Sequence, residues 1–372
     1  VKTVNGHEII SLFESWSPTS LAVEGDPVGL EVGQLNRKIS NVLVTLDTTE
    51  EVIEEAIAKN CNLIISHHPL FYRPIQSIRT DSFQGKVIEK LIKNDITLYT
   101  AHTNLDVAQG GVNDLLAEAL DLESIELLEV TDEDNYRKLA VFVPSDFAQK
   151  VREALASAGA GKIDDYDSCS FSTVGEGRFQ PLKGAEPFIG AVGKLETVEE
   201  VKIEVIFPRS LTSAVLNALH ASHPYEVPAY DLLELLTPVT KNGIGRIGVL
   251  SEKMTLEQFS LFVKKKLSVP FVRVVGNLST EIHKVAVLGG DGNKYIRKAK
   301  RMGADVLVTG DMYFHIAQDA ERMGLSIVDP GHHIESIMKQ GVSTKMNSMM
   351  KERGWNVHFI ASEISTEPFR LF

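Results

Sequence analysis

NVLVTLDTTEEVIEEAIAKNCNLIISHHPLF, residues Asn41–Phe71, is the stretch on which the fold turns. It opens on the apolar run Val42-Leu43-Val44 and closes on Leu63-Ile64-Ile65, each short enough for a buried strand. Between them Asp47, Thr48 and Thr49 can start a helix, Glu50 and Glu51 suit its first turn, and Val52, Ala56 and Ile57 form its buried stripe. Laid without a gap on Lys284–Phe314, the stretch puts Val42-Leu43-Val44 on Val285-Ala286-Val287 and Leu63-Ile64-Ile65 on Val306-Leu307-Val308. Ser66-His67-His68 falls on Thr309-Gly310-Asp311. A second pair, Ile96–Asp106 and Leu325–Glu335, aligns the same way and puts Asp106 on Glu335. The expected fold is α/β, with two related α/β halves and a largely parallel sheet.

Another duplication lies between the halves. Lys138–Gly159 aligns without gaps on Lys202–His223, each copy a strand, a proline (Pro144, Pro208) and an amphipathic helix. Strand and helix twice over predict an inserted ferredoxin-like α+β domain. The acidic Thr131–Asn135 and the loop Thr237–Gly243 read as its linkers. The expected domains are residues 1–130 for the first half, 131–240 for the insert and 241–372 for the second half. In that second half Val285–Leu288 reads as a strand, Gly289–Lys294 as a turn, and Pro330-Gly331 as the opening of one long helix through about Met350.

Bulk composition narrows the function classes. Hydrophobic residues make up 43% and charged residues 24%, enough for a large core under a soluble surface. The net charge of -12 argues against nucleic-acid binding, which draws on basic surface. The two cysteines, Cys61 and Cys169, give neither a disulfide framework nor a thiolate zinc site. Val1–His7 has no signal-peptide pattern and no run of about 18 apolar residues occurs, so the expectation is a cytoplasmic protein without a membrane span.

The chemistry gathers after strand ends. His67 and His68 follow one strand, Asp106 follows the next motif, and His332 and Glu335 follow the equivalent strand of the other half. Open α/β sheets place their sites there. Adjacent residues of an extended chain point to opposite sides, so His67 and His68 chelate one ion badly but could each serve one of two. His332 and Glu335, three apart on a helix, share a face, whereas His333 points away. Three histidines and two carboxylates suit zinc, iron or manganese better than calcium. Two divalent ions against Asp106 and Glu335 leave a positive surplus that invites hydroxide or an anionic substrate. His102 could ligate or orient Asp106. Asp311 could touch substrate or cap a helix, and His315 could line the cleft or be buried. Gly289–Lys294 lacks the Walker spacing and reads first as a tight turn. His223-Pro224-Tyr225-Glu226 reads as a rigid turn, and Cys61 as core. No GxSxG elbow appears.

Taken in order, Ser66-His67-His68-Pro69-Leu70, Ala101-His102-Thr103-Asn104-Leu105-Asp106, Gly289-Gly290-Asp291-Gly292, Thr309-Gly310-Asp311 and Gly331-His332-His333-Ile334-Glu335 resemble the motifs of the Nif-three-like family, whose members are also called GTP cyclohydrolase I type II homologues. The resemblance spans essentially the whole chain. It implies a toroidal homohexamer with two divalent ions per chain, zinc first and iron or manganese as alternatives, facing an inner cavity. It implies His67, Asp106 and Glu335 as ligands of one ion and His68, His332 and Glu335 as ligands of the other, with Glu335 bridging. It also implies that Arg137–Leu235 is similar to PII and CutA proteins. The expected function is a metal-dependent hydrolase in which metal-activated water, with Glu335 as a possible participant, attacks a nucleotide-like substrate such as GTP at purine C8. The alternative is a non-catalytic metal carrier, chaperone or regulator with a PII-like sensing or oligomerisation module.

Overall fold

The computed structural model describes residues 4–370; Val1–Thr3, which belong to the start read above for a leader pattern, lie outside the described residues. The chain divides into two compact units, residues 133–241 and the remainder. Each is described by itself.

The larger unit is mixed α/β. Its first sheet has five strands in the order Gly29–Val32, Thr97–Thr100, Cys61–Ser66, Asn41–Thr45, His358–Ala361. All neighbours are parallel except the first pair. The second half builds its own strands around Glu281–Asp291, Val306–Gly310 and Ser326–Asp329, which are parallel. They are flanked by antiparallel partners in Tyr230–Thr255 and Arg273–Val275. The largely parallel sheet of the sequence reading is thus two sheets: the first is parallel except at the edge strand Gly29–Val32, and the second is parallel only among its three central second-half strands. The repeat survives at the level of register. Val42 pairs with Leu63 in one half, and Val285 pairs with Val306 at the equivalent place in the other.

Packing follows from the apolar runs. Strands buried on both faces need apolar cover on both sides. The helices Glu50–Ala58 and Phe83–Lys93 cover the outer face of the first sheet through Ile53, Ala56, Val87 and Leu91. On the second-half strands, Ile296, Ala299 and Ala320 do the same. Side chains of both halves meet in one central core that includes Phe13, Val44, Leu116, Val287, Met338 and Met346. Each helix has a local start signal. Thr49 caps the first, accepting the Val52 N–H, and Ser82 caps the second.

Two local structures differ from expectation. Thr131–Asn135 and Thr237–Gly243, read as linkers, contain the points at which the chain divides into its two units, but they are strand and not loop, inside Glu123–Pro144 and Tyr230–Thr255. The long helix expected from Pro330 begins as a 3-10 segment, His332–Ser336, and turns α only at Ile337–Glu352.

The smaller unit pairs Phe171–Phe179 and the end of Glu123–Pro144 antiparallel to Glu196–Pro208. Its helices Ala148–Ser157 and Thr212–Ser222 bury Val151, Leu155, Val215 and Leu219 against Val141 and Ile203.

Among the described residues no helix is long and apolar enough to cross a membrane.

Candidate metal centre

Five chain segments arrive together at the carboxyl ends of the parallel strands. Cys61–Ser66 delivers His67 and His68, Thr97–Thr100 delivers His102 and Asp106, and Glu281–Asp291 delivers Gly289 and Gly290. Val306–Gly310 delivers Asp311, and Ser326–Asp329 delivers His332 and Glu335. The 3-10 geometry matters here, because residues three apart eclipse one another on such a helix. His332 Nε2 lies 3.1 Å from Glu335 Oε2. The same oxygen lies 3.0 Å from His68 Nε2 and 3.7 Å from His67 Nε2. Asp106 Oδ1 lies 3.6 Å from His67 Nε2. All five sequence-predicted ligands therefore meet, as two donor sets that share Glu335: His67, Asp106, Glu335 and His68, His332, Glu335.

The burial of this cluster poses a chemical problem. His67 is fully buried, and Glu335 is only 3% exposed. His67 Nε2 and Asp106 Oδ1 are buried with no hydrogen-bond partner among the described residues. Orphaned buried polar atoms are costly. A cation between them would satisfy both, and the mixed nitrogen and oxygen donors suit a divalent transition metal. The side chains are positioned to bind a metal ion.

The far side of each imidazole is held in place. His67 Nδ1 donates to the Ala101 carbonyl at 2.9 Å, His68 Nδ1 to Asp47 Oδ1 at 2.7 Å, and His332 Nδ1 to Asp311 Oδ2 at 2.6 Å. A proton fixed on Nδ1 leaves Nε2 to face the cluster, the arrangement that orients metal-bound histidines. Asp47 and Asp26 are the functional residues that sequence reading passed over. Asp47 had been read only as a helix start, while Thr49 takes the cap.

His102 follows the same pattern but spends Nδ1 on Asp26 Oδ1 at 2.7 Å, not on Asp106. It forms a third donor group with His67 and His68. Asp311 thus orients His332. His333 lies off the donor sets, with its buried Nε2 unpartnered among the described residues. His315 neither lines the cleft nor is buried; it is exposed and contacts Gln318. Cys61 is core, and burial pushes its thiol up to about 11.

The charges balance locally. Burial opposes charge on His68, but the hydrogen bonds to Asp47 and Glu335 more than offset this and lift its pKa to about 10. His332 is lifted to about 9, chiefly by Glu335. Burial raises Asp106 to about 6 against the pull of His67. Glu335 is buried too, yet the close His332 and His68 rings, with His67 nearby, hold it well below the usual carboxylate range. Glycine makes the close approach possible. Gly290 has φ of +63°, and a Cβ there would lie 2.7 Å from Glu335 Oε1.

Two cavities open onto the cluster. One of about 750 Å³ is lined by His68, His102, Asp106, Tyr295, His332 and Glu335, and Lys294 is its one lysine or arginine among the described residues. The other, about 640 Å³, lies beside His68, His332 and His333 and is lined by the C-terminal segment Thr366–Phe369.

Comparisons with known proteins give the family and the fold. The profile of the Duf34/NIF3 (NGG1p interacting factor 3) family matches residues 4–368. The GTP cyclohydrolase 1 type 2 homolog of Bacillus subtilis is 55% identical over 368 residues, covering 99% of each chain. A solved Bacillus cereus protein related to NIF3 is similar over the whole of both chains, with TM-score 0.90 and 53% identity. A Staphylococcus aureus protein of solved structure matches over the whole of both chains with TM-score 0.81 and 34% identity.

Proposed function

The chain belongs to the Duf34/NIF3 family, and from that premise we propose that it is a metal-dependent hydrolase acting on an anionic, nucleotide-like small molecule. The observation that carries the proposal is the pair of orphaned buried atoms, His67 Nε2 and Asp106 Oδ1, beside a carboxylate shared by two donor sets. His67, Asp106 and Glu335 would hold one divalent ion, and His68, His332 and Glu335 a second. Zinc is the first choice, with iron or manganese as alternatives. Such a pair of ions lowers the pKa of bound water and polarises the bond under attack.

The chain's own residues supply binding and orientation. Asp47, Asp311 and the Ala101 carbonyl fix the three ligand imidazoles. Asp26 fixes His102, whose Nε2 is left to exchange a proton with a substrate in the 750 Å³ cavity. Lys294, the one lysine or arginine in the described lining of that cavity, is the anchor for a phosphate. GTP is the first substrate to try, because it appears in the names of the relatives. A homohexameric toroid is part of the proposal on the strength of the family resemblance, and a solution mass near that of six chains checks it.

The deciding assay is turnover of a nucleotide panel by metal-loaded protein, with Glu335→Gln beside it. Metal-dependent turnover that is lost in the variant supports a hydrolase. Reversible metal binding without turnover across the panel overturns the hydrolase reading in favour of a metal carrier or regulator.

A further inference from the structure

The smaller unit holds a cavity of its own, about 430 Å³, made entirely from residues 133–241. Its construction begins at His223-Pro224-Tyr225-Glu226. Burial lowers the His223 pKa and keeps the ring neutral. Its Nε2–H donates to the Phe142 carbonyl at 3.0 Å, and its Nδ1 accepts the Tyr225 N–H at 3.1 Å. A carbonyl only accepts and an amide N–H only donates, so the tautomer is settled and the turn is locked.

The locked turn carries Tyr225 to the cavity wall. The phenol donates to Glu200 Oε1 at 2.9 Å. Burial and Glu200 together raise the phenol's pKa, so it remains a donor. Glu200 is 7% exposed, and its Oε2 accepts no hydrogen bond among the described residues. Room for that oxygen exists because residue 177 is glycine; a Cβ there would lie 2.1 Å from it. The Tyr225 ring centroid is 5.7 Å from that of Phe179 and 6.4 Å from that of Phe188.

Three aromatic rings and a half-satisfied, largely buried carboxylate thus face one open pocket. Ring faces attract cations, and a carboxylate left with little access to water favours a counter-charge. The remaining charged lining, Glu176, Glu226 and Arg178, leaves carboxylates in excess. We propose that this cavity binds a small organic cation of the alkylammonium class, its nitrogen seated against Glu200 among Tyr225, Phe179 and Phe188. The site is independent of the metal centre.

The test is calorimetric titration of the full chain with choline and with its uncharged tert-butyl isostere. Choline is expected to bind about tenfold or more tightly than the isostere. Glu200→Gln should remove most of that preference, and Phe179→Leu, which keeps apolar volume but loses the ring, should weaken choline several-fold. Arg178→Ala, which removes a like charge, should strengthen it. A melting curve for each variant separates misfolding from lost recognition, and if Glu200→Gln does not fold, Phe179→Leu and Arg178→Ala decide. Equal affinity for choline and isostere, no choline binding at tens of millimolar, or preference for a simple carboxylate would each overturn the assignment.

Discussion

Loading the metal centre should expel protons, and their number can be worked from the geometry. In the metal-free chain His68, with a pKa lifted to about 10, and His332, lifted to about 9, are both protonated at pH 7. Glu335 is already ionised, and Asp106, near 6, largely so. A metal ion needs the neutral imidazole, so filling the His68, His332, Glu335 set should release about two protons, and filling the second set adds any proton held by His67, whose pKa Asp106 and Glu335 also raise. Deprotonating His68 at pH 7 costs about 4 kcal/mol, at 1.36 kcal/mol per pKa unit. The cost at His332 is smaller, because its side chain is 37% exposed and solvent screens it. Apparent affinity should therefore climb steeply with pH, by up to about a hundredfold per unit between pH 7 and pH 9, and level off above the raised pKa values. The assay is titration of metal-stripped protein with manganese in buffers of different ionisation enthalpy, since the dependence of heat on buffer counts the protons. Release near zero, or affinity that is flat from pH 6.5 to 8.5, would refute the reasoning, because both rings would then be neutral before the metal arrives.

Three more outcomes follow from the same structure. The linkage runs the other way in metal-stripped protein: a raised histidine pKa stabilises the fold fully below the unfolded value near 6.5 and loses that contribution as pH rises through about 9 to 10, so chelated protein should melt at lower temperature across this window. Asp47→Asn removes the carboxylate that holds His68 Nδ1 and should weaken metal binding about 10- to 100-fold while sparing the fold, as read by metal content and circular dichroism. Arg246→Ala should destabilise the protein by about 3 kcal/mol in denaturant unfolding, because the buried guanidinium holds Asp114 and the Gly243 and Gly245 carbonyls together.

The ligands were legible because each ends a strand inside a repeated pattern. His67-His68 breaks an apolar run, and the duplication places Asp106 opposite Glu335. Their orienting partners were not legible. Asp26 lies 76 residues from His102, and Asp47 lies 21 from His68, so no local period marks either. The strand conformation of the acidic linker Thr131–Asn135 was missed for a related reason. Its composition disfavours a strand in isolation, yet it is part of one continuous strand, a case of tertiary pairing overriding local preference. The cavity beside Tyr225 was hidden as well, because Glu200, Phe179 and Phe188 come from separate segments that only folding assembles.

The pairing of His358–Ala361 with Asn41–Thr45 has a consequence for synthesis on the ribosome. The strand that completes the first sheet is translated roughly 300 residues after the one it joins, an interval of about 15 to 60 s at ordinary elongation rates. Throughout that interval the nascent chain carries an unpaired edge whose centre, Val42-Leu43-Val44, is apolar, a template for pairing with another chain. The N-terminal half should therefore dwell on a holdase chaperone until release, and a stop codon placed just before His358 should yield insoluble protein even though every proposed metal ligand has already been made.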